Sequence, residues 1–170
     1  MKIIIRPLLS SDYPAVVKIY EEGIATGNAT FNTSSPTWED WDKDHKKIGR
    51  LVAEATDDLG AKTILGWASL AGVSSRCVYS GVAELSVYIA ADARGKGTGR
   101  LLMDALIKES ERNSIWTLQA GVFPENESSI ALHEKFGFRR IGFHERIGQM
   151  ADGRWRDTLL LERRSTVVGV

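Results

Sequence analysis

The chain has few of the residues on which several protein classes depend. Among its 170 residues Cys77 is the only cysteine, so no disulfide can form within the chain. Its three scattered histidines form no cluster with the spacing of metal ligands, and we therefore expect no metal. No internal period and no low-complexity stretch is present, which argues against repeat architectures.

An excess of charge of either sign is also missing. The 22 Lys and Arg residues balance the 22 Asp and Glu residues, so the chain lacks the basic footprint of a nucleic-acid binder. The apolar run at residues 3–5 is too short for a signal peptide or a membrane span. A hydrophobic content of 43% indicates a globular chain rather than a disordered one. We expect a cytoplasmic protein with no nucleic-acid or membrane partner.

The hydrophobic pattern predicts a single α/β (α+β) domain over residues 1–163, followed by a C-terminal tail at 164–170 with no evident role. Strands are predicted at 2–6, 50–55, 63–70, 83–89, 115–122, 140–147 and 155–163. Helices are predicted at 13–24, 37–48, 97–113 and 127–136. In the 97–113 helix, the predicted buried stripe is Leu101, Leu102, Ala105 and Leu106. This order of elements is typical of helices packed on one sheet.

A glycine-rich turn joins the predicted 83–89 strand to the strongest predicted helix. Its sequence is Arg94-Gly95-Lys96-Gly97-Thr98-Gly99-Arg100. Backbone N–H groups at a helix start lack intrahelical partners and lie at the positive end of the helix dipole. Glycines let an anion approach that backbone closely, and three basic side chains add positive charge. The turn therefore suits a phosphate or pyrophosphate, although a glycine-rich helix start can also bind nothing.

Two nucleotide-binding motifs do not fit this turn. A P-loop needs Gly-x-x-x-x-Gly-Lys-Ser/Thr, which is absent from the sequence. A dinucleotide fingerprint needs a third glycine where Arg100 stands. The turn also lies outside a βαβ unit that carries an acidic residue about 20 positions further on.

The residues of the turn resemble the Gln/Arg-x-x-Gly-x-Gly/Ala motif of the GNAT N-acetyltransferases, whose loop grips the pyrophosphate of coenzyme A. Further along, Asn126, Leu132-His133-Glu134-Lys135 and Gly137-Phe138 are similar to the family's Asn…Leu-Tyr-Glu-Lys-x-Gly-Phe stretch. The resemblance implies a GNAT-type domain, with a mixed, mostly antiparallel sheet of about seven strands and about four flanking helices. It also implies acetyl-CoA as the co-substrate.

A narrower resemblance, from residue 5 to about 162, is to the phosphinothricin and methionine sulfone acetyltransferases. The residues that carry it are Glu84 within Val82-Ala83-Glu84-Leu85-Ser86-Val87-Tyr88-Ile89, Leu132-His133-Glu134, Thr30-Phe31, Arg76, Tyr79 and Gly153-Arg154-Trp155. Ala83, Leu85 and the stretch 77–81 depart from the usual pattern. These departures lie beside the acceptor pocket, so the resemblance leaves the identity of the acceptor open.

This resemblance implies acetyl transfer from acetyl-CoA to the primary amine of a small amino-acid-like acceptor, by direct attack in a ternary complex. It also implies a homodimer. The residues expected to bind acetyl-CoA are Val87, Tyr88, Ile89, Arg94, Gly95, Lys96, Gly97, Thr98, Gly99, Arg100, Asn126 and Lys135. Of these, Asn126 is equally a helix cap and Lys135 equally a solvated lysine.

The residues expected on the acceptor side are Phe31, Trp67, Arg76, Tyr79 and Arg154. An arginine pairs well with a carboxylate or phosphinate, which suits an amino-acid-like acceptor. Each of these side chains is equally explained by packing or loop structure.

Glu84 and His133 are the expected catalytic residues. An amine has a pKa of about 8 and a glutamate about 4.3, so direct proton transfer is unfavourable by roughly 5 kcal/mol and a water relay is favoured. His133 stands where many family members carry a tyrosine that protonates the leaving thiolate, and an imidazole can act as acid or base. Without the resemblance, Glu84 is equally a surface carboxylate and His133 a packed or exposed helix residue.

Other functions stay open at this point. The acceptor can be a protein N-terminus or a polyamine, although a polyamine needs an acidic pocket and the expected acceptor side includes two arginines. A regulatory domain that binds coenzyme A without turnover is a further alternative. The presence of Glu84 and His133 argues against it.

Overall fold

The structure is a computed structural model that describes residues 2–170. The strands of this part of the chain are β1 (Lys2–Pro7), β2 (Leu51–Thr56), β3 (Lys62–Gly72), β4 (Val82–Ile89), β5 (Thr117–Val122), β6 (Arg139–Gln149) and β7 (Trp155–Arg164). The α-helices are α1 (Tyr13–Ala25), α2 (Trp38–Asp44), α3 (Thr98–Arg112) and α4 (Glu127–Lys135). Across residues 2–170, no helix is long and apolar enough to cross a membrane.

The strands form one sheet in the order β1-β2-β3-β4-β5-β7-β6. All neighbours are antiparallel except β4 and β5, which are parallel. This arrangement confirms the predicted mixed, mostly antiparallel sheet with flanking helices. β4 and β5 pair only over residues 82–84 and 117–119, whereas each stays paired with its other neighbour. A gap therefore opens inside the sheet.

A hydrophobic core lies on each face of the sheet. On one face α3 buries Leu102 and Leu106 completely against the strands. On the other face an aromatic core includes Tyr13 of α1, Trp41 of α2 and Trp67 of β3. Aromatic rings pack best edge-on or offset, and the Trp41 and Trp67 rings meet edge-on at 6.0 Å.

The predicted buried stripe of α3 is wrong at one position. Leu101 is 46% exposed, whereas Met103 and Ile107 are buried together with Leu102 and Leu106. Residues spaced three and four apart share one face of a helix, and Leu101 lies beside the face that this set defines. Ser110 continues the buried face because its hydroxyl donates to the Ile107 carbonyl.

Two predicted boundaries also shift. α2 ends at Asp44 rather than near residue 48, because the next residues make tertiary contacts: the Lys46 N–H donates to the Leu70 carbonyl of β3 at 2.8 Å. β7 extends to Arg164, inside the predicted tail. Ser165 is buried beyond it, and its hydroxyl donates to Glu111 of α3 at 2.8 Å.

We expect Leu102→Ala to lower the free energy of unfolding by about 2–5 kcal/mol, because the side chain is fully buried. Leu101→Ala is the matched control, and its effect is expected within about 0.5 kcal/mol because the side chain is half-exposed. Urea unfolding of both variants measures the difference. Equal costs at the two positions would contradict the packing face described for α3.

Candidate active site

The gap between β4 and β5 exposes unpaired main-chain groups of β4. The Ala90 N–H donates to the Leu65 carbonyl, and the β3–β4 register runs unbroken from there to Ala83. Hydrogen-bonded and non-hydrogen-bonded pairs alternate along an antiparallel ladder. Residues 85, 87 and 89 therefore turn their N–H and C=O groups away from β3 and into the gap. An extended ligand that carries amide groups can pair with them as an added strand does.

This geometry corrects the expected role of Tyr88. Its main chain faces Trp67 on β3 rather than the gap, so Val87 and Ile89 supply the main-chain groups. The Ile89 carbonyl also accepts a hydrogen bond from Nε of Arg94 at 3.2 Å. Tyr88 contributes its ring instead, which stacks on Trp67 at 4.9 Å.

The glycine-rich turn forms an open cradle at the start of α3. Gly95 and Gly97 have φ angles of 74° and 92°, a region in which other residues are strained. A Cβ on either glycine would meet no atom within 4 Å, so this backbone faces open space. The first N–H groups of α3 lack intrahelical partners there. Arg94, Lys96 and Arg100 are exposed around the turn.

A single cleft of about 1320 Å³ connects this turn with the gap in the sheet. Both predicted catalytic residues line the cleft. The predicted binding residues that line it are Phe31, Trp67, Val87, Tyr88, Ile89, Arg94, Gly95, Lys96, Gly97, Gly99, Arg100, Asn126 and Lys135. Gly99 approaches Leu132 of α4, which places the far end of α4 beside the turn.

Glu84 lies where β4 and β5 separate. It pairs with Gln119 at the last position of the parallel ladder, and its side chain is exposed to the cleft. It shares a sheet face with Ser86 and Tyr88, on the side covered by α1. Burial by the surrounding protein raises the pKa of Glu84 above its ordinary value. A raised pKa brings a carboxylate nearer to that of an amine and favours it as a proton acceptor.

His133 is held on α4 in one orientation. Only 4% of the residue is exposed, and Nδ1 lies 2.7 Å from the Ser129 carbonyl. Because a carbonyl only accepts, Nδ1 carries the proton and donates it, which leaves Nε2 as a bare acceptor. Nε2 is buried and has no hydrogen-bond partner within the described chain. Burial lowers the pKa of His133, so the imidazole is neutral at neutral pH.

Asn126 has two contacts that explain its position. Its Oδ1 accepts from the Ser129 N–H at 3.3 Å and caps α4. Its Nδ2 donates to the Asn28 carbonyl at 3.1 Å, in the loop between α1 and α2. The second N–H of the amide stays available to a ligand in the cleft. Lys135 is exposed at the end of the same helix.

Part of the cleft has aromatic walls. Tyr20 meets Tyr88 edge-on at 4.9 Å, next to the Trp67–Tyr88 stack. Phe31, from the loop between α1 and α2, meets Phe123 edge-on at 4.9 Å. All these rings line the cleft together with Glu84, and they form a partly apolar region of it, the aromatic chamber.

Some predicted site residues lie elsewhere. The guanidinium of Arg76 covers the ring of Tyr79 at 5.4 Å, on an exposed turn before β4 that does not line the cleft. Arg154 pairs with Asp152 at 2.8 Å in the turn between β6 and β7 and lines a separate, shallower hollow. Thr98 is buried inside the first turn of α3. The arginines expected to meet an acceptor carboxylate are therefore not in the cleft of this chain.

Sequence reasoning missed other residues of the site. Tyr20 shows only helical spacing in α1, and Asp44 ends a polar helix, yet both line the cleft. Phe123 also lines the cleft, Arg156 packs on its ring from behind, and the contacts of Arg156 with the 26–32 loop span more than 120 residues of sequence. No local pattern marks such contacts. Within residues 2–170, no group of three or more His, Cys, Asp or Glu side chains is arranged to hold a metal ion.

Comparison with known proteins agrees with this geometry. The sequence profile of the acetyltransferase (GNAT) family matches residues 8–138. The L-methionine sulfoximine/L-methionine sulfone acetyltransferase of Pseudomonas aeruginosa is 29% identical, over 95% of this chain and 94% of its own length. A phosphinothricin acetyltransferase from Sinorhizobium meliloti, solved with AcCoA, has a TM-score of 0.83 at 28% identity, covering 99% of this chain and 91% of that one.

A third similar structure is a ribosomal-protein-alanine N-acetyltransferase from Brucella melitensis. It is 31% identical with a TM-score of 0.81, and the match covers 95% of this chain and 99% of that one. With the family match over most of its length, the chain belongs to the acetyltransferase (GNAT) family and is an acetyl-CoA-dependent N-acetyltransferase. This confirms the resemblance that the glycine-rich turn and the 126–138 segment carry.

We expect Gly97→Asp to abolish binding of acetyl-CoA, because it places a carboxylate and a strained Cβ in the anion cradle. Gly60→Asp is the matched control: Gly60 also has a positive φ, 86°, and open space around a Cβ, but lies in the β2–β3 turn. Isothermal titration calorimetry with acetyl-CoA compares the two. Normal affinity in Gly97→Asp would show that the turn is not the pyrophosphate site.

Proposed function

We propose that this enzyme transfers the acetyl group of acetyl-CoA to the primary amine of a small amino-acid-like acceptor, by direct attack in a ternary complex. The observation that carries the proposal is the position of Glu84, at the apex of the β4–β5 gap, between the unpaired main chain of β4 and the aromatic chamber. A carboxylate there can meet an amine that approaches from the chamber. The named relatives support an amino-acid-like acceptor.

The residues of the cleft fit acetyl-CoA. The open glycine cradle, the N-terminus of α3 and three basic side chains suit the pyrophosphate. The free N–H and C=O groups of Leu85 and Val87 suit an arm with two amide groups. When bound, acetyl-CoA supplies an activated thioester carbonyl at the end of that arm.

Glu84 accepts the proton that the acceptor ammonium must lose. Burial raises its pKa toward that of an amine, and water carries the proton onward to solvent. The neutral amine then forms the new C–N bond, the thioester C–S bond breaks, and coenzyme A leaves as a thiolate that takes up, through water, the second proton lost by the nitrogen. Because Glu84 must be ionised, activity falls as the pH is lowered through its raised pKa.

We assign His133 a positioning role and not the role of an acid that protonates the leaving thiolate. Its Nδ1–H is committed to the Ser129 carbonyl, and its lowered pKa keeps Nε2 without a proton. Nε2 is therefore a buried acceptor without a proton, whereas protonating a thiolate would require a second proton that burial disfavours. Of the roles open for His133, the geometry favours the acceptor.

A second acceptor class is favoured by the charge of the cleft. Its basic lining residues, Arg94, Lys96, Arg100 and Lys135, all lie at the cofactor end. The acidic residues that line the cleft are Glu84 and Asp44, and neither belongs to the turn. An acidic, aromatic chamber suits an acceptor with a second positive charge, such as a polyamine.

The test is thiol release from acetyl-CoA with methionine sulfone, methionine sulfoximine, phosphinothricin, spermidine and a peptide with N-terminal alanine, each for wild type and Glu84→Gln. We expect the sulfone, sulfoximine or phosphinate compounds to react fastest. In Glu84→Gln, kcat should fall about 100-fold or more while the affinity for acetyl-CoA stays the same. Glu21→Gln, at an exposed position of α1 that does not line the cleft, is the control and should behave as wild type.

Other results of this panel contradict the proposal in different ways. Reaction with spermidine alone would establish the second acceptor class, and reaction with the peptide alone would establish a protein N-terminus. Unchanged kcat in Glu84→Gln would remove Glu84 from the mechanism. Acetyl-CoA binding without turnover of any amine would favour a regulatory domain.

We also propose that the enzyme is a homodimer that joins through β6. This edge strand is exposed along almost its whole length, and its exposed apolar side chains are Ile141, Phe143 and Ile147. An exposed apolar edge is a surface that a partner chain covers. Light scattering should give twice the 18.8 kDa of one chain.

Phe143→Asp should shift the molecular mass to that of a monomer. Leu59→Asp is the control, because Leu59 is 96% exposed in the distant β2–β3 turn, and it should leave the mass unchanged. A wild-type protein that scatters as one chain, or a Phe143→Asp variant that stays dimeric, would reject the proposed interface.

A further inference from the structure

The loop between α1 and α2 forms one wall of the acceptor chamber. Asn28, Thr30 and Phe31 of this loop line the cleft. The loop is irregular; Thr30 and Asn32 bond to Tyr20 of α1, and the bonds within the loop are short-range, such as Asn28 N–H to Thr26 Oγ1 at 3.1 Å. Local bonds of this kind do not fix a loop against the body of a protein. Its position over the cleft therefore depends on contacts from other elements.

Arg156 of β7 makes the most concentrated of these contacts. Its Nη1 donates to the Gly27 carbonyl at 2.8 Å, and its Nη2 donates to Asn28 Oδ1 at 2.8 Å and to Glu125 at 3.0 Å. The arginine is 9% exposed, so these hydrogen bonds are largely shielded from water. A buried guanidinium of fixed fork shape holds its partners in one geometry.

The same guanidinium also supports Phe31. It lies 3.9 Å from the centre of the Phe123 ring, and Phe123 in turn meets Phe31 edge-on. Phe123 is 4% exposed, so its ring is fixed between the two. Cation–π contacts are strongest where water is excluded, as here. One side chain thus positions both the start of the loop and the aromatic residue that faces the chamber.

We propose that Arg156 is a positioning residue that sets the shape of the acceptor site. This proposal rests on the proposed function. In it, Arg156 determines the affinity for the amine and takes no part in binding acetyl-CoA. Arg156 touches neither the glycine-rich turn nor β4; its contacts are with the loop, Phe123 and Glu125. Loss of the Arg156 side chain should therefore raise the KM of the amine and leave the Kd of acetyl-CoA unchanged.

The test compares Arg156→Met and Arg156→Lys with a matched control on the same strand. Arg163 is also partly buried on β7, but it donates to the Phe136 carbonyl and to Glu111, away from the loop. Arg163→Met therefore removes a comparable set of contacts without touching residues 26–32. For each protein we would measure the KM of the amine, the Kd of acetyl-CoA and the hydrogen exchange of peptides from 26–32.

Arg156→Met should raise the KM of the amine about tenfold or more and leave the Kd of acetyl-CoA unchanged, because a displaced loop disturbs positioning. Exchange in 26–32 should become faster. Arg156→Lys keeps the charge but not the fork, so its KM and exchange should be intermediate. Arg163→Met should match wild type in the KM of the amine, the Kd of acetyl-CoA and the hydrogen exchange of 26–32, even if its melting temperature falls.

The proposal is overturned by unchanged amine KM and loop exchange in Arg156→Met, or by the same changes in Arg163→Met. Hydrogen exchange needs no turnover and still reports on the loop. If wild type acetylates no amine, the proposed function fails. Faster exchange confined to the Arg156 variants would still show that Arg156 holds the loop in place. Equal exchange in all variants would reject this role of Arg156, whether or not the proposed function holds.

Discussion

The separation of β4 from β5 after three paired residues is the constraint on which the site depends. β4 remains paired with β3, and β5 with β7, so the sheet stays continuous at both sides while a strip of β4 main chain loses its partner. Unpaired buried N–H and C=O groups are costly, so such a strip is stable only where water or a ligand satisfies it. The same separation brings Glu84 to the apex and makes room for α4 to present His133.

The second element of the site is the cradle at the start of α3, and it is fixed by conformation more than by charge. Gly95 and Gly97 both adopt positive φ angles, which aims successive N–H groups at the cleft. The adjoining arginines and lysine are exposed, so they add attraction without fixing geometry. In the proposed function, the anion therefore binds at the turn and the acceptor amine binds next to Glu84.

Sequence reasoning succeeded where residue type and local conformation are tied together. The alternation of Ala83, Leu85, Val87 and Ile89 defined the faces of β4, and the glycines of the turn marked positions that other residues tolerate poorly. It failed where tertiary contacts decide. Leu101 belongs to a plausible helical stripe, yet α3 is rotated so that Met103 takes its place in the core. Arg76 and Arg154 have suitable chemistry but lie on turns that the fold directs away from the cleft.

In the proposed function, the main chain of β4 and not its side chains binds the ligand, which affects which substitutions β4 can tolerate. The side chains of Leu85 and Val87 point into the core that α3 covers, while their peptide groups face the gap. The space available in the core, and not contact with the ligand, limits which side chains can stand at positions 85 and 87. Substitutions along β4 therefore leave its main-chain N–H and C=O groups in place. A main-chain site of this kind leaves little trace in side-chain identity, in contrast to the turn, where Gly95 and Gly97 mark the backbone conformation directly.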